Sequence, residues 1–225
     1  MGAKRTKTKE DIVERILVGL SYTFRLLIVV EAVTAAWNKQ LFLLILSLVI
    51  LVLTFLPSFI AKNYKINVPA EIEFIIVIFI SSSLFLGETK DFYTKFWWWD
   101  IFLHSISSLL LGFIGFLLMY ILYTEKRVRA TPGLVAVFAF CFSVAFGVLW
   151  EIVEFIIDQT LGWNMQSSGL VDTMWDLIVD SMSALVISVS GYFYLKRKQA
   201  TPFFERFLMK FIEKNPHLFR KRFRI

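Results

Sequence analysis

Polar and apolar positions alternate along this chain on the scale of whole segments. Long apolar runs are separated by short charged ones, and six runs approach or exceed the ~20 residues that carry a helix across a bilayer. They span 16–37, 41–61, 72–86, 98–123, 133–157 and 172–195. The third is the most interrupted: Glu71, Glu73 and Glu88 crowd its ends, and Ser81, Ser82 and Ser83 break it. After 195 the pattern changes. Thr201-Pro202 has the form of an N-cap followed by a first-turn proline. Phe203, Phe204, Phe207, Leu208, Phe211 and Ile212 then share one helical face, with Arg206, Lys210 and Lys214 among the polar positions, until Asn215-Pro216 stops the helix. The pattern predicts an all-α polytopic transmembrane bundle of about six spans over 1–195. A basic amphipathic helix lying on the membrane surface follows within 196–225.

Composition narrows this further. Hydrophobic residues make up 57% of 225 and mean hydropathy is +0.67, well beyond an ordinary soluble domain. The runs are continuous, not the short alternating strands of a membrane barrel. Cys141 is the single cysteine, so an intrachain disulfide is excluded. No small-residue cleavage site follows the first apolar run, which reads as a retained signal-anchor helix.

Charge sets the expected orientation. Net charge is +6, but Lys196 to Ile225 holds ten Lys or Arg and two Glu, leaving the remainder slightly acidic. Beside a membrane span, a basic tail points to anionic lipid headgroups, not to nucleic acid. Lys and Arg concentrate in the N-terminal segment, in the second-to-third loop (Lys62, Lys65), in the fourth-to-fifth loop (Lys126, Arg127, Arg129) and in the tail. The other loops hold Lys39, then Lys90 and Lys95, then none. This bias predicts six crossings with both termini cytoplasmic. Trp97, Trp98, Trp99 and Trp163 then fall at the outer interface, as anchors or as the rim of a lipid entrance.

The candidate chemistry lies where it costs most. Asp100 and His104, Glu151, Glu154 and Asp158, and Asp172, Asp176 and Asp180 sit inside or at the ends of the last three apolar runs. A charged group in the bilayer core costs several kcal/mol unless it is paired, protonated, hydrated or metal-bound. Spacings of three, four, seven and eight residues put each set on one helix face. The orientation brings all three sets to the outer layer, with Asp176 and Asp180 about 6 and 12 Å deeper than Asp172. Seven carboxylates in one layer cannot all stay ionised without compensation.

A divalent cation is the expected compensation, with protons the alternative. Oxygen donors with one imidazole favour Mg²⁺, Mn²⁺ or Ca²⁺, with Fe or Zn also open. The expected metal ligands are His104, Glu151, Glu154, Asp176 and Asp180. Glu151, Glu154 and Asp176 are the candidate catalytic carboxylates. Asp100, Asp158 and Asp172 are expected nearer the mouth, where helix capping or a solvated helix end would also account for them. Arg25, near mid-bilayer in the first span, is expected to neutralise the acids or to grip a phosphate; Glu31 lies nearer the outer end. Gly112, Gly115 and Gly147 are expected to permit close helix packing.

The blocks Trp99-Asp100-Ile-Phe-Leu-His104, Trp150-Glu151-Ile-Val-Glu154 and Asp172-Thr-Met-Trp-Asp176-Leu-Ile-Val-Asp180 resemble the YjdF-type family of small multi-pass membrane proteins, over roughly half the chain. That resemblance implies a site without supplying a reaction. The order of acidic helices bears a looser likeness to VanZ-like proteins, whose last acidic helix often reads Asp-x-x-x-Asn where this chain has Asp176 and Asp180.

Three functions stay open on the sequence. One is a metal-dependent hydrolase or transferase acting on a lipid or lipid-linked phosphate. The second is a cation- or proton-coupled transporter. The third is a non-catalytic membrane interaction protein. The apolar run Ser183-Ala-Leu-Val-Ile-Ser-Val-Ser190 bears on the choice: a dead-end pocket favours an enzyme, a polar continuation favours transport.

Overall fold

The computed structural model describes residues 2–89, 92–162, 164–166, 168–197 and 199–219. Trp163 and the basic residues at 198 and 220–224 therefore lie outside the described residues. Every regular element described is helical: α1 Gly2–Trp37, α2 Leu41–Thr54, α3 Leu56–Tyr64, α4 Ala70–Ile80, a π-helix Ser81–Thr89, α5 Phe92–Lys95, α6 Trp99–Thr124, α7 Pro132–Leu161, α8 Leu170–Arg197, α9 Pro202–Lys214 and a 3₁₀ turn Pro216–Phe219. The chain divides into two compact units, Met1–Trp97 and Trp98–Ile225.

Five helical stretches among the described residues are long and apolar enough to cross a membrane: Ile12–Trp37, Leu41–Tyr64, Trp99–Thr124, Pro132–Thr160 and Leu170–Arg197. They match the expected first, second, fourth, fifth and sixth spans. The second is broken at Phe55, whose amide turns back to the carbonyl of Val52 at 3.0 Å. The cause is Pro57, which lacks an N–H and crowds the preceding turn. The third expected span takes another form. Its apolar part is the 11-residue α4, and the serine run that interrupts it continues as the wider π-helix.

In the first unit, α1, α2 and α4 pack together around Ile28, Ala32, Ala35, Ile50 and Val77, all buried. Arg25 is also buried, at 5% exposure. Its Nη2 donates to the carbonyl oxygen of Thr54 at 2.8 Å and to Oε1 of Glu73 at 3.2 Å, and its guanidinium lies 4.3 Å over the Phe55 ring. Arg25 thus directs its charge to Glu73 within its own unit. A planar fork of donors suits a backbone carbonyl beside a carboxylate, and Thr54, the last residue of α2, supplies that carbonyl. Glu31 lies on α1 in the same unit, half-buried.

In the second unit, α6, α7 and α8 pack against one another in all three pairings. α7 starts at Thr131, whose side chain accepts from the amide of Leu134, with Pro132 in the first turn, and ends at Gly162 with φ +68°. A left-handed residue closes a helix most readily as glycine. α9 begins at the expected Thr201-Pro202 cap and ends at Asn215, whose Nδ2 donates back to the carbonyl of Phe211 at 2.8 Å. Its apolar face is not wholly presented to lipid. Phe204, Leu208, Phe211 and Ile212 are buried, and Phe204 packs at 4.8 Å on Phe116 and 5.6 Å on Phe113 of α6. Phe203 and Met209 remain exposed. Trp97 is exposed, but Trp99, expected at the interface with it, is 7% exposed. Trp99 opens α6 one residue before Asp100 and packs edge-on to Trp98.

Candidate acidic centre

His104 stands at the middle of the site because α6 places it one turn below Asp100 and faces it toward both α7 and α8. Its Nδ1 lies 3.3 Å from both carboxylate oxygens of Asp180 on α8. Its Nε2 points the other way, 3.8 Å from Oδ1 of Asp100 and 3.8 Å from Oε1 of Glu151 on α7. One ligand atom each from Asp100, His104 and Asp176 all fall within 4.8 Å of one another. His104, Glu151, Glu154, Asp176 and Asp180 are all buried, with Asp180 at 1% exposure and Asp176 at 3%.

Asp180 is held from α6 by a serine as well as by the imidazole. Ser108 Oγ donates to its Oδ1 at 2.6 Å, and Ser143 of α7 donates to the backbone carbonyl of Ser108 at 2.8 Å. The hydroxyl of Ser143 thus ties α7 to α6 at the level where Asp180 is gripped. Gly147 leaves the space that the Asp180 carboxylate occupies, since a β-carbon there would collide with Oδ2. The expected packing role of Gly115 has a similar cause: a β-carbon on it would stand 2.9 Å from Cβ of Phe142.

Glu151 has the opposite condition. Both of its oxygens are shielded and make no hydrogen bond. Thr173 and Gln166 approach it without meeting hydrogen-bond geometry, and Gln166 Nε2 instead donates to Thr173 Oγ1 at 2.7 Å. A buried carboxylate without hydrogen-bond donors is costly to keep charged, and His104 Nε2, at 3.8 Å from Oε1, stands beyond hydrogen-bond distance. Glu154 is one turn along α7, within electrostatic range of Glu151, Asp100 and His104.

The three residues expected at the mouth separate. Asp100 joins His104 and Asp176. It is not a helix cap, because α6 begins at Trp99 and Asp100 lies in its first turn. Asp172 likewise falls in the first turn of α8, not at its cap, within electrostatic range of Asp100 and Asp176. First-turn carboxylates are favoured there by the helix dipole. Asp158 clamps the α7–α8 connection: its two oxygens accept from the amides of Met165 and Gln166 at 2.7 and 2.9 Å. A solvated helix end is thus replaced by a loop anchor.

Ser108 and Ser143 were not among the sequence candidates. Ser108 lies one turn beyond His104 on the same face of α6, so helical periodicity carried its signal. Ser143 acts through a backbone carbonyl, for which side-chain spacing gives no signal.

A cleft of about 720 Å³ lies along α7, α8 and their connection. Val148, Ile152 and Leu177 line one part; Glu151 and Thr173 line the middle; Asp158, Gln159, Asn164 and Gln166 line the part near the connection. Below the acids the three-helix interface closes. Ala184, Ile187 and Phe116 are buried there, and Ser188 and Ser190 hydrogen bond to carbonyls of their own helix.

Comparisons with known proteins place these features in a family. No solved structure matches the chain. A protein of Thermotoga maritima, described as "Uncharacterized protein", is 36% identical over 135 residues, which cover 57% of this chain and 66% of that one. The family "Predicted membrane protein (DUF2238)" matches residues 20–197, a stretch that includes every acid of the centre. The chain therefore belongs to the DUF2238 family of predicted membrane proteins.

Proposed function

We propose that the acidic centre binds a divalent cation through Asp100, His104 and Asp176, and that the protein hydrolyses or transfers a lipid or lipid-linked phosphate there. One observation carries the reading: three ligand atoms from two helices lie within 4.8 Å of one another, beside a buried carboxylate with no hydrogen-bond partner. Donors across an ion at ~2.1–2.5 Å stand ~4.2–5 Å apart, so the spacing suits Mg²⁺, Mn²⁺ or Ca²⁺ with small side-chain adjustment. Iron or zinc would accept the same donors with less preference for oxygen.

Asp180 then acts behind the ligands. Nδ1–H of His104 donates to it, which leaves Nε2 as the ligand atom. Carboxylate–imidazole–metal relays of this kind orient the ring and raise its basicity. The bound ion would polarise a phosphoryl oxygen and lower the cost of developing negative charge. Glu151 and Glu154 stay outside the ligand set and supply the carboxylates available as general base. The likeness of the acidic blocks to the YjdF-type family is compatible with this family membership and supports treating them as one site.

The closed interface below the centre favours an enzyme over a transporter. Buried apolar side chains follow Asp180, and the serines beyond it are satisfied within their own helix. For the membrane arrangement, the charge bias supports cytoplasmic termini and an outward-facing centre, with residues 70–89 making the remaining crossing. The exposed Arg206 of α9 and the basic residues around it would meet anionic headgroups.

Metal content decides the first part. Protein purified in detergent, stripped with chelator and reloaded with Mn²⁺, is expected to retain about one ion per chain, while His104→Ala and Asp176→Asn retain none. Absence of retained metal in the unaltered protein would end the proposal. Turnover of a lipid-phosphate panel is then expected to require the added ion.

A further inference from the structure

We infer that the cleft along α7 and α8 is the seat of the lipid itself, and that it selects a phospholipid whose headgroup carries hydrogen-bond donors, an ammonium or hydroxyl, over one whose headgroup carries none. This rests on the proposed function, whose substrate class it narrows. The cleft has the polarity of a lipid laid along the helices. Val148, Ile152 and Leu177 form its apolar end, and Gln159, Asn164 and Gln166 its polar end. Ile152 and Phe155 are 47% and 53% exposed, so the cleft opens on the apolar surface that faces acyl chains. A single chain can slide in sideways without leaving an apolar environment.

Glu151 supplies the selectivity. It lines the cleft, is 4% exposed, and neither oxygen has a hydrogen-bond donor. The other acid lining the cleft, Asp158, already accepts two amides. No Lys or Arg is among the described residues that line it. Among the described residues the cleft thus holds a buried carboxylate without a donor, and a molecule that satisfies it must bring a hydrogen-bond donor, the more strongly if that donor is positively charged. An ammonium with N–H groups is a charged donor; a hydroxyl is a neutral one; a trimethylated ammonium cannot donate. A net charge-assisted hydrogen bond is worth about tenfold or more in affinity. With Glu151 engaged by the headgroup, Glu154 is left for proton transfer.

Phosphatidylethanolamine and phosphatidylcholine with identical chains make the discriminating pair, because they differ at the nitrogen substituents alone. Native mass spectrometry of the full chain released from detergent, titrated with each lipid, is expected to give at least about tenfold tighter binding of phosphatidylethanolamine. Phosphatidylglycerol should fall on the same side through its hydroxyls. Glu151→Gln should bring the two lipids together, and Ile152→Trp should weaken both by filling the apolar end. Ile152 faces outward, so the larger ring need not disturb the helix interface; Leu177→Trp is the second filling variant. Equal affinity for the two lipids in the unaltered protein, or unchanged binding in both tryptophan variants, would overturn the inference. The titration is repeated after chelator stripping and after Mn²⁺ loading. Selectivity without metal uptake would defeat the metal reading alone, and metal uptake without selectivity would defeat this one alone.

Discussion

Gly147 of α7 and Asp180 of α8 meet so closely that a β-carbon at position 147 would collide with Oδ2 of the carboxylate. Exchanging a helical glycine for alanine ordinarily stabilises by about 0.5–1 kcal/mol. Here the sign should reverse. Gly147→Ala is expected to cost about 1–3 kcal/mol, the range of an overpacked interior. It should also loosen Mn²⁺ retention, because Asp180 must move away from His104. Thermal unfolding in detergent, beside the metal assay, checks both; a stabilised variant would show that the close approach carries no weight.

The relation of Asp180 to His104 makes a second prediction. Asp180→Asn keeps the shape and an acceptor for Nδ1 but removes the anion behind the imidazole. Mn²⁺ affinity is expected to fall about 10–100-fold, the usual effect of removing such a partner. The Ser108 contact should keep the fold close to that of the unaltered protein. Complete loss of metal, equal to that of His104→Ala, would instead make Asp180 a direct ligand.

In the first unit, Glu73→Ala leaves the Arg25 guanidinium with the Thr54 carbonyl and the Phe55 ring. Breaking a fully buried pair costs about 3–5 kcal/mol. The Glu73 side chain is 27% exposed, so about 1–3 kcal/mol is expected after solvent screening. Arg25→Met combined with Glu73→Ala should recover part of the loss. A double-mutant cycle by thermal unfolding reads the coupling, and strict additivity would mean that the pair is incidental.

The tail helix separates two neighbouring phenylalanines. Phe204 is fully buried against α6 and Phe203 is 54% exposed. Phe204→Ala is expected to cost about 3–5 kcal/mol locally and to open α9 to protease. Phe203→Ala should change stability by no more than about 0.5 kcal/mol. Limited proteolysis with mass mapping distinguishes them. Equal protection of both variants would mean that α9 is held by something other than the Phe204 contact.

The expected helices near the site correspond closely to the structure, and the reason is local. Apolar length sets α6, α7 and α8, while Thr131-Pro132, Thr201-Pro202 and Asn215 set ends through hydrogen bonds within a few residues. The break at Phe55 was legible in principle from Pro57. The change from α4 to the π-helix was not, because Ser81–Ser83 permit either winding and their surroundings decide.

By itself the sequence determined that His104, Glu151, Glu154, Asp176 and Asp180 share faces of three apolar helices, since 3.6 residues per turn settles which side chains align on one helix. The tertiary structure decided how those faces divide the work. It set Asp180 behind the imidazole and Asp100 beside Asp176, left Glu151 without a donor, and turned Asp158 to the loop. It also matched Arg25 with Glu73. These assignments depend on the rotation and axial offset between helices, where a shift of an ångström exchanges a ligand for a support, and the spacing of residues along one helix does not contain that offset.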